Sequence, residues 1–404
     1  MIKPLVLLVG MLVAAQLAAQ DYRAQAIRIL KTVPLIDGHN DIPDAIRERG
    51  GLDSVNFATS QPKLMTDIPR LHAGAVGAQF WAAYVPVTTM DSGPHPARYA
   101  LEQIDLVQRL CMRNSRSMAM AYTAADVERN FAAGKISCLI GIEGGHAIEN
   151  SLGALRMFFK LGTRYMTLTH WRSLDWATAS TDTSHRGLSA FGREVVLEMN
   201  RLGMLVDLSH VNDPTMSDAL HTSRAPVIFS HSSARALTNH PRDVPDSILK
   251  LVAANRGVVM VNFNPGFVSE PARVWADTVT TRLDALQRAG ADSATRADSL
   301  KSWTRAGPHA TLAQVADHIE HIRQVCGIDC VGLGSDFDGI TDVPVGLEDV
   351  SKFPDLIAEL LRRGWSEQDV EKVAGLNTLR VMREVERVAA SMRRSSFSPT
   401  HPDR

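Results

Sequence analysis

Short apolar segments recur along the chain, and each of them ends in a polar or charged residue. Between them lie longer segments in which apolar residues return every three or four positions, as on one face of an α-helix. The short segments are almost continuously apolar, which is typical of parallel strands that are buried on both faces. Eight such strands are predicted, over residues 33–39, 75–85, 136–143, 165–170, 204–210, 226–231, 257–262 and 330–336.

The longer segments predict helices that connect these strands and close the chain. A further helical excursion is predicted over residues 273–308, between the seventh and eighth strands. The regular alternation of strands and helices indicates repeated βα units. The other helices are predicted over residues 100–121, 152–161, 191–202, 246–254, 312–325, 355–363 and 367–388.

Eight βα units predict an α/β protein with a (β/α)8 barrel of the TIM type. The alternative is a doubly wound parallel sheet, which commonly carries a glycine-rich phosphate loop after its first strand. Here the densest glycine cluster, Gly332 and Gly334, lies near the end of the chain and lacks the third glycine of that motif. We therefore expect one barrel domain over residues 20–390, followed by a polar, disordered tail over residues 391–404.

The first residues of the chain predict export. Lys3 precedes an uncharged, mainly apolar run over residues 4–15, and small residues follow at Ala18 and Ala19. This order is typical of a signal peptide, here over residues 1–19, and the apolar run is shorter than the roughly 20 residues of a membrane-spanning helix. We expect the cleaved protein to be exported without stable membrane insertion, to the periplasm of a Gram-negative cell and otherwise to the medium.

Composition narrows the classes of partner. The 43 Lys and Arg residues nearly balance the 44 Asp and Glu residues, so the chain carries no positive field that would attract nucleic acid. Fourteen His beside four Cys indicate that a metal site here would use imidazole and carboxylate rather than thiolate. Export permits disulfides, but the cysteine spacing fits no known framework, so pairs and free thiols both stay open for Cys111, Cys138, Cys326 and Cys330.

Ionisable residues fall at the predicted carboxyl ends of the strands, where a barrel gathers its chemistry. His39 and Asp41 follow the first strand two positions apart, so their side chains share one face of an extended segment. Glu143 ends the third strand, and His210 and His231 end the fifth and sixth in similar apolar-Ser-His sequences. Three imidazoles and two carboxylates at one barrel face suit zinc, and a carboxylate with two oxygens is able to join two ions.

Longer motifs surround these residues. They are IDGHND from residue 36, IEGGH from 142, LGTRYMTLTH from 161, LSH from 208, FSHSSA from 229, RDVPD from 242, VGLGSDFDG from 331 and GLNTLRV from 375. In these motifs the chain resembles the membrane dipeptidases, also called renal dipeptidases, which are zinc peptidases of the amidohydrolase barrel superfamily. The resemblance extends over residues 34–388 and implies a bacterial, exported member of that family.

The resemblance implies two Zn²⁺ ions per chain. His39 and Asp41 match the ligands of one zinc, and His210 and His231 match those of the other. Glu143 matches the carboxylate that bridges the two ions. The implied reaction is hydrolysis of the peptide bond of free dipeptides by a metal-activated hydroxide.

Three further residues match positions that act on the substrate. His170 matches the residue that contacts the scissile carbonyl, and Arg242 matches the residue that holds the C-terminal carboxylate. Asp336 matches the acid that moves protons. Asp336, His170 and Glu143 are therefore the expected catalytic residues, and Arg242 and His170 the expected substrate-binding residues. The sequence leaves open whether dipeptides with a C-terminal D-residue are among the substrates.

Two other classes of function stay open on sequence grounds. Another metal-dependent amidohydrolase, acting on a β-lactam or another small amide, would use similar ions, although such barrels usually bridge them with a modified lysine rather than a glutamate. A non-catalytic zinc-binding envelope protein would keep the metal ligands but would not need Asp336 and Arg242. The sequence leaves the oligomeric state open, a homodimer included.

Overall fold

A computed structural model describes residues 21–91 and 95–396 of the chain. The predicted signal peptide lies outside these residues, as does the end of the predicted tail from residue 397 onward. Among the helices of the described ranges, none combines the length and the apolar character that crossing a lipid bilayer requires.

The described strands form one sheet in which all strand pairs are parallel. They are β1 (Leu35–Asn40), β2 (Val76–Tyr84), β3 (Met118–Met120), β4 (Ile136–Glu143), β5 (Thr163–Thr167), β6 (Leu205–Asp207), β7 (Ile228–Phe229), β8 (Val258–Val261) and β9 (Val331–Leu333). Without β3, the order runs from β1 through β2, β4, β5, β6, β7 and β8 to β9, which returns to β1. The (β/α)8 barrel is thus confirmed, and closure excludes the doubly wound sheet because such a sheet has open edges.

Helices surround this barrel and connect its strands. A π-helical turn, Lys372–Leu376, joins the last two of them. They are α1 (21–30), α2 (Ile42–Glu48), α3 (Ile68–Ala73), α4 (Pro96–Arg113), α5 (Ala124–Ala132), α6 (Leu152–Lys160), α7 (Ala190–Leu202), α8 (Asp213–Thr222), α9 (Asp246–Asn255), α10 (Pro265–Val268), α11 (Glu270–Arg288), α12 (Ser293–Ala306), α13 (Leu312–Cys326), α14 (Phe353–Arg362), α15 (Glu367–Glu371) and α16 (Asn377–Ser396).

One predicted helix is too long. We expected residues 100–121 to be helical, but α4 ends at Arg113 and β3 follows it, paired with the start of β4. The side chain of Asn114 donates a hydrogen bond to the carbonyl of Leu110 at 2.8 Å. Asparagine competes in this way with the helical hydrogen-bond pattern, so the helix ends before the short strand begins.

The helical excursion between the last two barrel strands is confirmed as α11 and α12. At the end of the chain, α16 continues to Ser396, six residues past the expected domain boundary at residue 390. Val388 and Ala389 of this helix are buried. Beyond the expected boundary, Met392 packs against an apolar cluster and Arg393 Nη1 donates to the Leu202 carbonyl at 3.1 Å, and these contacts explain why the helix continues.

Neighbouring residues along the strands face two different cores. Leu35, Trp81 and Ile140 belong to a cluster that includes apolar residues of the surrounding helices. A second cluster contains Ile36, Phe80 and Leu139, each next in sequence to one of these three, together with Tyr165 and Met260 of other strands. This alternation places the strand residues of the second cluster inside the barrel. Because these residues precede the carboxyl ends of their strands, they form a packed floor beneath that face.

The cysteines divide into one bonded pair and two free thiols. Cys326 and Cys330 form a disulfide between the end of α13 and the turn that precedes β9, with Cα atoms 5.8 Å apart. Cys111 and Cys138 are free and buried. The bond covers only a short loop, so it fixes the approach to β9 rather than linking distant parts of the barrel.

Candidate metal centre

The residues that the sequence singles out lie together at one end of the barrel. Each of them lies at the end of a strand or in the segment that follows one. All are buried except Asp336, whose side chain is 13% exposed. Parallel strands of a closed barrel present their carboxyl ends at one face, which brings these side chains together. They are His39, Asp41, Glu143, His170, His210, His231, Arg242 and Asp336.

Glu143, the last residue of β4, lies between the histidines. Its Oε1 atom is 2.9 Å from His210 Nε2 and 3.3 Å from His231 Nε2. Its Oε2 atom is 3.6 Å from His39 Nε2. The two oxygens of this carboxylate therefore face two different sets of ligand atoms, as a bridging carboxylate must.

The first set of ligand atoms lies beside β1. His39 Nε2 is 3.2 Å from Asp41 Oδ2 and 3.9 Å from Asp336 Oδ1. This nitrogen is buried and has no hydrogen-bond partner among the described residues. A buried nitrogen that faces carboxylates is satisfied either by carrying a proton or by binding a cation.

The second set combines two imidazoles. His210 Nε2 and His231 Nε2 are 2.9 Å apart. Burial lowers the pKa of both rings well below the usual value for histidine, so both rings are neutral near pH 7. Neutral imidazole is the form that binds a metal ion. The pair is therefore ready to coordinate a cation without first losing protons.

The donor set as a whole fits zinc. Imidazole nitrogens and carboxylate oxygens are typical zinc ligands, and no thiolate is present in the set. Glu143 belongs to two of the groups of potential ligands, and one of these also contains His170, which we expected to contact the substrate. Among the described residues, ligand atoms lie within 4.8 Å of one another in three groups: His39, Glu143 and His231; Glu143, His170 and His210; and His39, Asp41 and Asp336.

The buried charges shift one another's pKa values in the metal-free protein. Burial raises the pKa of Asp336 to about 8, with a further contribution from Asp41 and Glu143, while His39 opposes the shift. Burial likewise raises the pKa of Asp41 to about 6. Burial acts against the charge of Glu143 too, but the imidazoles, His39 first, hold the pKa of Glu143 well below its usual range. Burial alone would lower the pKa of His39, yet Tyr165, Asp41 and Glu143 together raise it well above 6.5.

A cavity of about 350 Å³ opens onto these side chains, and Arg242 lies in its wall. The Arg242 side chain is buried, donating from Nη1 to Ser232 Oγ at 3.1 Å and from Nη2 to the backbone oxygen of His231 at 3.2 Å. The rings of Trp171 and Phe267 flank it, with centroids 5.9 and 5.4 Å from its Cζ atom. These contacts hold the guanidinium rigidly, while further N–H groups of its five stay available to a ligand.

His170 lines the same cavity. Its Nε2 atom is 3.8 Å from Glu143 Oε1, and its ring packs edge-on against Tyr84 with centroids 5.1 Å apart. Burial lowers the pKa of His170 to about 4, so the ring is neutral near pH 7. A neutral imidazole at this place is able to donate a hydrogen bond to an oxygen that gains negative charge.

Two site residues adopt a left-handed backbone conformation, with φ of 74° at His210 and 66° at Asp336. This conformation is uncommon outside glycine and requires support from the surroundings. The Ser180 N–H donates to the His210 carbonyl at 2.8 Å, and the Asp336 N–H donates to the His39 carbonyl at 3.1 Å. Hydrogen bonds to other segments of the chain thus hold both side chains at the site.

A family model described as membrane dipeptidase, peptidase family M19, matches residues 23–396. The chain belongs to this family. The match confirms the enzyme class predicted from the sequence, a metal-dependent dipeptidase, and does not favour the other amidohydrolases or a non-catalytic envelope protein.

Relatives of known name agree with the membrane dipeptidase assignment. Dipeptidase 3 of Rattus norvegicus is 40% identical over 394 residues, which cover 95% of this chain and 71% of that protein. A solved metallo peptidase from Rhodobacter sphaeroides, liganded with a phosphinate mimic of the dipeptide L-Ala-D-Ala, is 28% identical with a TM-score of 0.70, over 87% of this chain and 99% of that chain. The probable dipeptidase PvdM from Pseudomonas aeruginosa shares the fold, with a TM-score of 0.80 at 23% identity over 92% and 100% of the two chains.

Two buried aspartates that we did not predict connect neighbouring strand ends of this dipeptidase through hydrogen bonds. Asp207 Oδ1 accepts hydrogen bonds from the backbone N–H groups of Ser209 and Ser230 at 3.0 and 2.9 Å. Asp37 accepts from the N–H and the Oγ of Ser335 at 2.7 and 2.6 Å. Each aspartate ties two neighbouring strands together. Each also lies two or three residues before a predicted histidine ligand, a spacing that is visible in the sequence.

Asn262, directly after β8, is another residue of the dipeptidase site that we did not predict. Its Nδ2 atom donates to Asp336 Oδ2 at 3.0 Å and to the backbone oxygen of His231 at 3.3 Å. It thereby fixes the orientation of the Asp336 carboxyl group. The sequence feature that could have identified Asn262 is its position at the carboxyl end of the predicted strand 257–262.

The metal-free dipeptidase should lose stability between pH 7.5 and pH 8.5. The folded protein keeps protons on Asp336, with its pKa of about 8, and on His39, whereas the unfolded chain has pKa values of 3.8 and 6.5 at these groups. The buried histidines with lowered pKa values, among them His170, His210 and His231, bind protons only in the unfolded chain, but at pH 7.5 and above that chain leaves them mostly neutral. The folded state therefore binds more protons over this interval, and its free energy of unfolding falls by at most about 1.4 kcal/mol per pH unit for each proton. Denaturant unfolding of chelator-treated protein at the two pH values measures this change. A constant or rising free energy of unfolding would contradict it.

Proposed function

We propose that the protein is an exported dipeptidase that hydrolyses free dipeptides at a centre of two zinc ions. The observation that carries the proposal is the position of Glu143, whose two oxygens face separate sets of ligand atoms. One carboxylate shared in this way is typical of a centre with two ions. Imidazole and carboxylate donors without thiolate favour zinc among the common metals.

Five residues hold the ions in this proposal. His39 and Asp41 bind the first zinc, His210 and His231 bind the second, and Glu143 bridges them. The short distances among these ligand atoms support the assignment. When bound, zinc would supply Lewis-acid activation of the scissile carbonyl and of the attacking water. The protein's own side chains then orient the substrate and move the protons.

Arg242 binds the C-terminal carboxylate of the dipeptide. The planar guanidinium matches a carboxylate in a two-pronged contact, and its place in the cavity wall supports this role. A cavity of about 350 Å³ is small for a ligand site, which favours dipeptides over longer chains. The phosphinate mimic of L-Ala-D-Ala bound by the Rhodobacter relative supports including dipeptides with a C-terminal D-residue.

Asp336 and His170 carry out the steps around the scissile bond. A carboxyl group beside two cations has its pKa lowered, so Asp336 is ionised in the zinc-loaded enzyme. It accepts the proton of the attacking water and passes it to the leaving amine. His170, which is neutral because burial lowers its pKa, donates a hydrogen bond to the carbonyl oxygen as that oxygen gains charge.

The proposal of export rests on residues 1–19, whose sequence is typical of a signal peptide. The disulfide between Cys326 and Cys330 supports it, because such bonds persist mainly in oxidising compartments. The periplasm is the expected location in a Gram-negative cell, and the medium otherwise.

Elemental analysis of the purified protein should find two zinc ions per chain. In Glu143→Gln, zinc content and turnover of dipeptides should fall together, because a neutral amide is a poor bridge between two cations. Glu386→Gln provides a matched control, since Glu386 is half-buried on α16 and accepts a hydrogen bond from the Ala124 N–H at 2.8 Å. Full activity of a metal-free preparation would refute the proposed function.

Asp336→Asn should keep both zinc ions and lose at least about a hundredfold in kcat, because it keeps the shape of the side chain and removes the base. The change in KM should be smaller, since the contacts of the bound substrate survive. Asp338→Asn is the control, because Asp338 lines the same cavity but accepts a hydrogen bond from the Met65 N–H at 2.8 Å. Recovery of full activity by excess zinc would mean that Asp336 is a ligand instead.

Arg242→Lys should lower kcat/KM for free dipeptides by roughly ten- to a hundredfold, because one ammonium group replaces a two-pronged contact of about 1.5–3 kcal/mol. Zinc content should not change. Dipeptide amides, which lack the carboxylate, should be poor substrates for both proteins. Arg235→Lys is the control, since Arg235 makes the same kind of contact with Asp213, at 2.7 Å from each nitrogen. Equal wild-type rates on acids and amides would place the carboxylate contact elsewhere.

A further inference from the structure

Two of the imidazoles at the metal centre have different hydroxyl partners on their second nitrogen. His39 Nδ1 is 2.8 Å from the hydroxyl oxygen of Tyr165, and His231 Nδ1 is 2.7 Å from Ser230 Oγ. All four residues are buried. The third imidazole differs, because His210 Nδ1 has no hydrogen-bond partner among the described residues.

The position of Tyr165 follows from packing inside the barrel. Its ring is fully buried and lies beside Phe80, with ring centroids 5.1 Å apart. A side chain at Gly141 would leave no room for it, since a Cβ atom there would lie 1.9 Å from Tyr165 Cζ. The absence of that side chain lets the ring lie across β4, and its hydroxyl group then reaches His39 from the floor of the site.

The hydrogen-bond roles follow from the expected metal ligation. A histidine that binds a cation through Nε2 must carry its hydrogen on Nδ1, so His39 donates to the Tyr165 oxygen and His231 donates to Ser230. Partners of this kind fix the tautomer and the plane of the ring and make it a stronger ligand. Their loss typically weakens metal binding about ten- to a hundredfold.

We propose that Tyr165 and Ser230 are positioning residues that act separately on the two metal sites. Tyr165 acts through His39 on the ion that His39 and Asp41 hold, and Ser230 acts through His231 on the other ion. This inference rests on the proposed function, since it takes its ligand assignments from there. It divides the centre into two halves whose metal affinities are set by different hydroxyl groups.

The two substitutions that test this are small. Tyr165→Phe removes one oxygen and leaves the ring that packs on Phe80. Ser230→Ala removes one oxygen and leaves the backbone N–H that donates to Asp207 Oδ1 at 2.9 Å. Neither change touches Glu143, the residue that both halves share.

The experiment compares zinc occupancy at each site during chelation. Zinc-loaded wild type and variants are titrated with a competing chelator, zinc per chain is measured, and anomalous diffraction from partly chelated crystals gives the occupancy of each site. Tyr165→Phe should lose the ion beside His39 at a roughly ten- to a hundredfold lower chelator concentration than wild type. Ser230→Ala should instead lose the ion beside His231 first.

Matched controls remove the same atoms elsewhere. In Tyr99→Phe the lost hydroxyl donates to Asp44 Oδ1 at 3.1 Å, and in Ser217→Ala the lost hydroxyl lies 3.4 Å from Nδ1 of His221, an exposed serine–histidine pair on α8. Both controls should lose zinc at the same chelator concentrations as the wild-type protein. If Tyr165→Phe or Ser230→Ala loses zinc at the same chelator concentrations as wild type, the inference is wrong. It is also wrong if both variants lose the same ion first.

A wild type that fails to hold two zinc ions would instead refute the proposed function, which separates the two failures. Should either variant not fold, ¹⁵N-histidine NMR of the zinc-loaded wild type tests the same point. The Nδ1–H protons of His39 and His231 should show the downfield shift of a hydrogen bond, which that of His210, without a partner among the described residues, should lack. Equal shifts for the three rings would overturn the inference.

Discussion

The buried carboxylates of Asp41 and Glu143 and the mostly buried carboxylate of Asp336 lie together at one face of the barrel, and the rest of the site depends on how their charge is balanced. A buried charge is costly unless a partner of opposite charge or several hydrogen bonds compensate it. The neutral rings of His210 and His231 supply ligand atoms but no positive charge. Protons therefore balance the negative charge of the cluster in the metal-free protein, and cations balance it in the metal-loaded protein. This exchange of protons for cations is the physical basis of a metal centre.

The frame that holds these like charges together is the closed sheet. Asp37 and Asp207 each tie two neighbouring strand ends through backbone N–H groups, one on each side of the cluster. Beneath them the interior of the barrel is filled by large side chains such as Phe80 and Tyr165. The left-handed backbone at His210 and Asp336 is tolerated because this frame is rigid. Strain and charge repulsion at the site are thus balanced by packing elsewhere.

The barrel was predictable because the spacing of apolar residues reveals its strands and helices. The main site residues were predictable because they lie at the carboxyl ends of those strands. Eight apolar runs revealed the strands, and His39, Glu143 and His231 stood at their ends. β3 was not predictable, because a strand of three residues is too short to show an apolar pattern that differs from the end of a helix. The Tyr165 hydroxyl contact was not predictable either, because Tyr165 reads as one more apolar strand residue and its partner comes from another strand.

The order of strands also sets when the site is able to form. β1 pairs with β9, so the first strand of the ring waits for a partner synthesised almost 300 residues later. His39 comes from one of these strands, and Asp336 follows the other. Contacts between such distant segments form late in folding, because closing a long loop costs conformational entropy before the contacts contribute any stabilising free energy. An emerging amino-terminal fragment would therefore carry an incomplete ring with exposed strand edges, and the last third of the polypeptide closes the ring and adds Asp336 to the site.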